Sequence, residues 1–183
     1  MTRSKTKIAK QINENEVNLT LRKNLEIHFT DSFVIENLQY YNQTIDFAII
    51  VKDRIIEVVH ITELSQYILE FEKIAQGKYS FNKHDAFKNG KWISSAIYFM
   101  APARLLPADN IPEQYGLITY NKLDLSIEIK IEADYIKDKE FLTRDNYKTI
   151  AQKINRKLYE NKATQVRVRG QYGKGNIKRS KNR

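Results

Sequence analysis

The chain has no cysteine. That excludes a disulfide scaffold, a thiolate metal centre and a cysteine nucleophile. Its three prolines, Pro102, Pro107 and Pro112, all fall within residues 102–116, which marks one irregular connection. No apolar run approaches the ~18 residues of a membrane span, so no membrane partner is expected. The basic start, Met1-Thr2-Arg3-Ser4-Lys5, leads into no apolar stretch, which argues against a secretory signal. Together these absences suit a cytoplasmic protein. Acids are missing from both ends. Residues 1–10 hold four Lys or Arg and residues 161–183 hold eight, with no Asp or Glu in either segment. The overall charge is +9, yet residues 11–160 carry 19 Lys or Arg against 22 acids, a net of −3. The chain is a mildly acidic body with basic ends, not a uniformly basic surface.

The 183 residues are enough for one domain with a substantial core. The expected division is a single domain over 1–160 and a basic, disordered tail over 161–183. Val17, Leu21, Leu25 and His28 or Phe29 recur at helical spacing, predicting a helix over 13–29. Residues 33–41 read as a strand. Two further strand-like runs, 44–51 and 54–62, are separated by Lys52 and Asp53. Leu64, Tyr67 or Ile68, Phe71 and Ile74 or Ala75 line one side of a helix over 63–76, stopped by Gly77. Residues 78–91 read as a polar loop, 92–101 as a buried strand, and 115–120 as a short apolar strand. Strict alternation over Leu123–Ala133 predicts a long half-buried strand. A last helix is expected over 144–160. A helix, three strands, a helix and a fourth strand place the chain in the α/β (α+β) class. The expected architecture is a central mixed β-sheet flanked by helices.

Three acids and a histidine stand out on the early strands: Glu36, Asp46, Glu57 and His60. Burying a charge in an apolar strand costs several kcal/mol unless it is paired, so Asp46 calls for a cation or a metal. Which groups share its side of the sheet is a question of parity. With a two- or four-residue loop, Asp46 falls opposite Val59 and shares a side with Glu57. With a three-residue loop it falls opposite His60 and shares a side with Val58. His84-Asp85 beside Lys83 reads as loop, and Trp92, Tyr98 and Phe99 read as core.

The order of elements, together with Glu36-Asn37-Leu38, Asp46-Phe47-Ala48, Val58-Val59-His60-Ile61-Thr62, Ser95–Pro102 and Ile111–Ile118, resembles the PD-(D/E)XK nuclease superfamily. Within it the chain looks most like the MmcB-like group of DNA-repair nucleases. The resemblance covers about residues 33–120. It implies a restriction-endonuclease-like core, DNA as ligand and, in an active member, Mg²⁺ or Mn²⁺ as cofactor. Carried onto this sequence it implies Asp46, Glu57 and His60 as catalytic residues and Glu36, Asp46 and Glu57 as metal ligands. His60 falls at or beside the superfamily's lysine. Val58 stands where its glutamate is expected, a departure that bears on activity more than on fold. In the tail, Arg167, Arg169, Lys174, Lys178, Arg179 and Lys181 alternate with glycines and Tyr172, a composition suited to phosphate contacts. Two functions follow: a metal-dependent deoxyribonuclease acting in repair, recombination or a mobile element, or a nucleic-acid-binding protein that does not cut.

Overall fold

Why the sheet can stay mixed without an exposed core is visible in its connections. The computed structural model describes residues 14–40, 43–52, 54–75, 82–136 and 150–152. In chain order these form α1 (Glu14–His28), β1 (Ser32–Tyr40), β2 (Gln43–Val51), β3 (Arg54–His60), α2 (Leu64–Ala75), α3 (Lys83–Lys88), β4 (Ala96–Pro102), a 3₁₀ turn (Ala108–Asn110), β5 (Gly116–Tyr120) and β6 (Ile127–Ile131). The six strands lie side by side in sequence order. β1, β2 and β3 are antiparallel neighbours. α2 and α3 then carry the chain over, so β4 runs parallel to β3, and β5 parallel to β4. β6 returns antiparallel. The architecture is α+β, a six-stranded mixed sheet with flanking helices. Among the described residues, no helix is long and apolar enough to cross a membrane.

One side of the sheet packs on α1. Leu21 and Leu25 are fully buried there, with Val34, Phe47, Ile49, Ile56, Val58, Tyr98, Met100, Ile118 and Tyr120. Each such aliphatic side chain contributes about 1.5–3 kcal/mol by leaving water. Gly116 faces this side beneath Tyr98, whose ring occupies the space a Cβ would need. The opposite side carries Asp46, Ala48, Glu57, Val59 and Phe99 toward α2 and α3.

Two expectations are corrected. Residues 83–88, read as loop, form α3, because Asn82 caps it by accepting from the amides of His84 (3.0 Å) and Asp85 (3.1 Å). The last strand begins at Ile127, not Leu123. Leu123 is 91% exposed, and Leu125 has φ 58°. Asp124 draws Ser126 back, accepting from its amide (3.0 Å) and its hydroxyl (2.7 Å), which makes a turn where the alternation implied a strand.

The chain divides into two compact units, Met1–Phe141 and Leu142–Arg183. In the second unit, residues 150–152 are helical, within the expected helix, and Ile150 is buried. The basic tail, with Arg167, Arg169, Lys174, Lys178, Arg179 and Lys181, lies outside the described residues.

Candidate functional site

The β2–β3 register settles the parity question. Val51 pairs with Arg54 and Ala48 with Glu57, so two residues separate the paired strand ends. Lys52 takes φ 55°, as a tight turn requires. Continued by two residues, the register sets Asp46 opposite Val59. Asp46 and Glu57 therefore share the α2/α3 side. Val58 and His60 face α1.

Glu57 is 1% exposed, and its carboxylate is saturated. Oε1 accepts from Lys83 Nζ at 3.0 Å. Oε2 accepts from Trp92 Nε1 at 2.6 Å and Ser94 Oγ at 3.0 Å. The Lys83 ammonium also bonds Glu70 of α2. Glu70 in turn lies 3.4 Å from His84 Nε2, and His84 Nδ1 meets the Tyr115 hydroxyl at 2.8 Å. Phe71 stacks on the His84 ring at 4.7 Å. Glu57, Lys83, Glu70, His84 and Tyr115 thus form one buried polar chain walled by aromatics. The Asn82 cap sets Lys83 in the first turn of α3, from which its side chain reaches the sheet.

The electrostatics follow the same geometry. Burial alone would raise the Glu70 carboxyl, but the His84 contact and the Lys83 charge outweigh it and bring it to about 2. Burial alone would discharge Lys83, but Glu57 and Glu70 hold it charged, above its usual value. The Tyr115 hydroxyl is pushed up to about 12 by burial. Asp46, half-buried, is raised by burial despite the backbone amide it accepts from and the nearby Lys83 charge; Glu57 and Glu70 add to the rise.

Glu36 and His60 do not join Asp46 and Glu57. Glu36 pairs with Phe47, on the α1 side, and lies 3.6 Å from Arg22 Nη1 of α1. The His60 backbone amide donates to Asp46 Oδ2 at 2.8 Å, but its ring points the other way. There its Nε2 meets the Tyr120 hydroxyl at 3.2 Å, and the ring packs against Phe47. The structure therefore places the His60 ring and the Glu36 carboxylate on the α1 side, apart from Asp46 and Glu57. Lys83, 26 residues beyond Glu57 in sequence, is the cation on Glu57 that sequence spacing missed. The Asn82 cap followed by apolar Ala86 and Phe87 was the available signal for α3.

A divalent ion such as Mg²⁺ or Mn²⁺ takes oxygen ligands. The residues present do not fit one as arranged. Both Glu57 oxygens already accept from Lys83, Trp92 and Ser94, and an ammonium stands between Glu57 and Glu70. Among the described residues, no group of three or more His, Asp or Glu is placed to hold a metal.

His60 supplies a pH prediction. Burial lowers its imidazole from 6.5 to about 4, so the folded protein resists protonation where the unfolded chain accepts it. The lowered value means stability is complete above pH 6.5 and is lost as pH falls toward 4. About 2 kcal/mol should disappear between pH 7.5 and 5 from this group. His60→Gln, which keeps a polar partner for Tyr120, should remove that loss. Urea unfolding at the two pH values checks it; an unchanged acid loss in the variant would reject the assignment. Glu70 acts in the same direction only below 4.5, outside this range.

No family model matches the chain. No curated protein matches it. Among solved structures it is similar to a protein of unknown function from Silicibacter pomeroyi, with a TM-score of 0.53 at 13% identity. The match covers 87% of this chain and 92% of that one, a likeness of fold.

Proposed function

We propose that this chain is a DNA-binding protein on a nuclease-like fold, in which the buried acids form a charge-balanced framework and binding rather than hydrolysis is the activity. The observation that carries the reading is the segregation of charge. Twelve Lys or Arg stand in 1–10 and 161–183 with no acid among them, against a body of −3. Cationic arms gain affinity by releasing counterions from phosphates, without sequence choice. The saturated Glu57 and the Lys83 bridge favour a framework role for the acid cluster. The test is fluorescence anisotropy with duplex and single-stranded oligonucleotides over a range of salt. Micromolar or tighter binding that weakens steeply with salt is expected. Binding indifferent to salt, or none, rejects the reading.

One observation favours a metal-dependent phosphodiesterase as the second reading. Asp46 and Glu57 share a side, with a lysine amine on Glu57. The two readings separate on metal. Under the first, millimolar Mg²⁺ or Mn²⁺ leaves the melting temperature unchanged. Under the second it rises, because an ion that binds only the folded state stabilises it, and Asp46→Asn abolishes the rise. Melting curves with and without each ion decide between them.

A further inference from the structure

The sheet ends in two unlike edges, β1 and β6. β1 is interrupted near its centre, where Asn37 takes φ 52°, because a left-handed residue turns the backbone out of strand geometry. β6 has no such interruption. It reads Ile127-Glu128-Ile129-Lys130-Ile131, with no proline, no glycine and no positive φ. Among the described residues, no strand pairs with its outer side. The Asn121 amide donates to the Ser126 carbonyl at 3.0 Å. Alternation from there turns the backbone groups of Glu128 toward β5 and those of Ile127 and Ile129 outward. The register shift against β5 falls beyond Ile129. Past Ile131 the chain turns back under the sheet. Glu132 accepts from the Tyr98 hydroxyl at 2.7 Å, and the Ile136 amide donates to the Ser95 carbonyl at 3.0 Å. The side chains of β6 divide by parity. Ile127 and Ile129 are half-buried against the α1-side core. Glu128 and Lys130 stand on the other side, 64% and 47% exposed, and bond each other at 2.6 Å.

We propose that β6 is a dimerisation edge, on which a second copy of this chain pairs antiparallel about a two-fold axis at Ile129. The argument for a second copy is self-complementarity. A two-fold contact matches one patch with itself, so each residue must tolerate its own symmetry partner. An axis at Glu128 would set glutamate opposite glutamate, and an axis at Lys130 lysine opposite lysine. An axis at Ile129 sets Glu128 of each copy opposite Lys130 of the other, twice over, and is the axis that pairs all five residues of the strand. Like charges directly opposite destabilise a strand pair and unlike charges stabilise it, so charge selects this register. The backbone agrees. Ile129 presents its amide and carbonyl outward, and a self-pair at that residue exchanges two hydrogen bonds across the axis. Glu128 and Lys130 of the other copy then form the closer kind of pair, in which the backbone bonds do not lie between them. A lone edge lysine would repel an incoming strand; beside Glu128 it becomes half of a match. The isoleucines of both copies fall on the α1 side, so the pairing extends the sheet with its apolar side continuous.

Sedimentation equilibrium of the full chain, from about 1 to 300 µM, spans the range open to a short interface. The mass should rise with concentration from 21.6 kDa toward twice that value. Glu128→Lys sets two lysines opposite two lysines, and Lys130→Glu sets two glutamates opposite two glutamates. Each should weaken dimerisation at least about tenfold, because two cross-axis pairs turn from attraction to repulsion. The double variant Glu128→Lys with Lys130→Glu restores opposite charges in the same register and should dimerise as the wild type does. An equimolar mixture of the two single variants should form the mixed dimer. Both positions are exposed, so the fold should survive each change, and circular dichroism melts check that it does. A wild type that stays at 21.6 kDa throughout overturns the inference. So does a wild-type dimer that both single variants keep, since the contact then lies elsewhere. Single variants that weaken the dimer, with no recovery in the double variant or the mixture, overturn it as well, because the two charges then do not face each other.

Discussion

Lys83→Met should cost about 3–5 kcal/mol of folding stability, the usual result of stripping one partner from a buried ion pair. For a chain of this size that is a drop in melting temperature on the order of 10 °C. The reason lies in what stays behind. Glu70 is drawn down to about 2, so its carboxylate is charged in the folded protein, and Glu57, 1% exposed, is bonded to the same ammonium. Methionine keeps the apolar stem of Lys83 and removes only the charge and its donors. Trp92 and Ser94 still donate to Glu57 but cannot neutralise it. Without Lys83, the Glu70 carboxyl should take up a proton more readily in the folded state. An acid raised in this way favours the fold at low pH, so the gap to wild type should narrow as pH falls toward 4. Adding Glu57→Gln and Glu70→Gln to Lys83→Met should recover most of the loss, because no uncompensated charge remains and the amide oxygen at 57 still accepts from Trp92. Urea unfolding of the wild type, the single and the triple variant decides it. A single variant within about 1 kcal/mol of wild type would match a solvated surface pair instead and would sink the framework reading of the site.

That framework shows where sequence reasoning reaches and where it stops. The α1 helix was legible from Val17, Leu21 and Leu25, because a helix spanning 14–28 must bury one stripe, and Leu21 and Leu25 are buried. The strands around Asp46 and Glu57 were legible from their apolar runs. Their parity was not, since it turns on whether the turn holds two residues or three. A left-handed Lys52 is a backbone choice that Lys52-Asp53 does not announce as Asn-Gly would. The same one-residue ambiguity left the side of His60 open. Lys83 was harder still. It meets Glu57 through tertiary packing across 26 residues, and no periodicity encodes that. Its helix has only six residues, under two turns, so it leaves almost no repeating signal. The alternation over 123–133 failed in the opposite direction. The pattern continued through a turn because Asp124 and Ser126, polar at strand-like positions, also close a side-chain-to-backbone loop.

Ending the chain at Asn161 should leave the six-stranded sheet folded and take away most of the DNA affinity. The cut removes eight Lys or Arg and no acid, and all six described strands lie before it. The remaining chain then has a net charge of +1, since only the four cations of residues 1–10 offset the body's −3. Each phosphate neutralised contributes about 0.9 to the slope of log affinity against log salt on duplex DNA. If six of the eight cations make such contacts, the full chain should lose on the order of a thousandfold in affinity between 50 and 200 mM salt. The shortened chain should lose far less, and at 50 mM its affinity should already be lower by about two orders of magnitude. A full-length variant with Arg167, Arg169, Lys174, Lys178, Arg179 and Lys181 all changed to Gln separates charge from length. It should behave as the shortened chain does. Should it bind as tightly as wild type, contacts of the polypeptide rather than of its cations hold the DNA. Should both variants keep the wild-type affinity and slope, the tail is not the arm, and the cations of residues 1–10 or of the body must carry the binding.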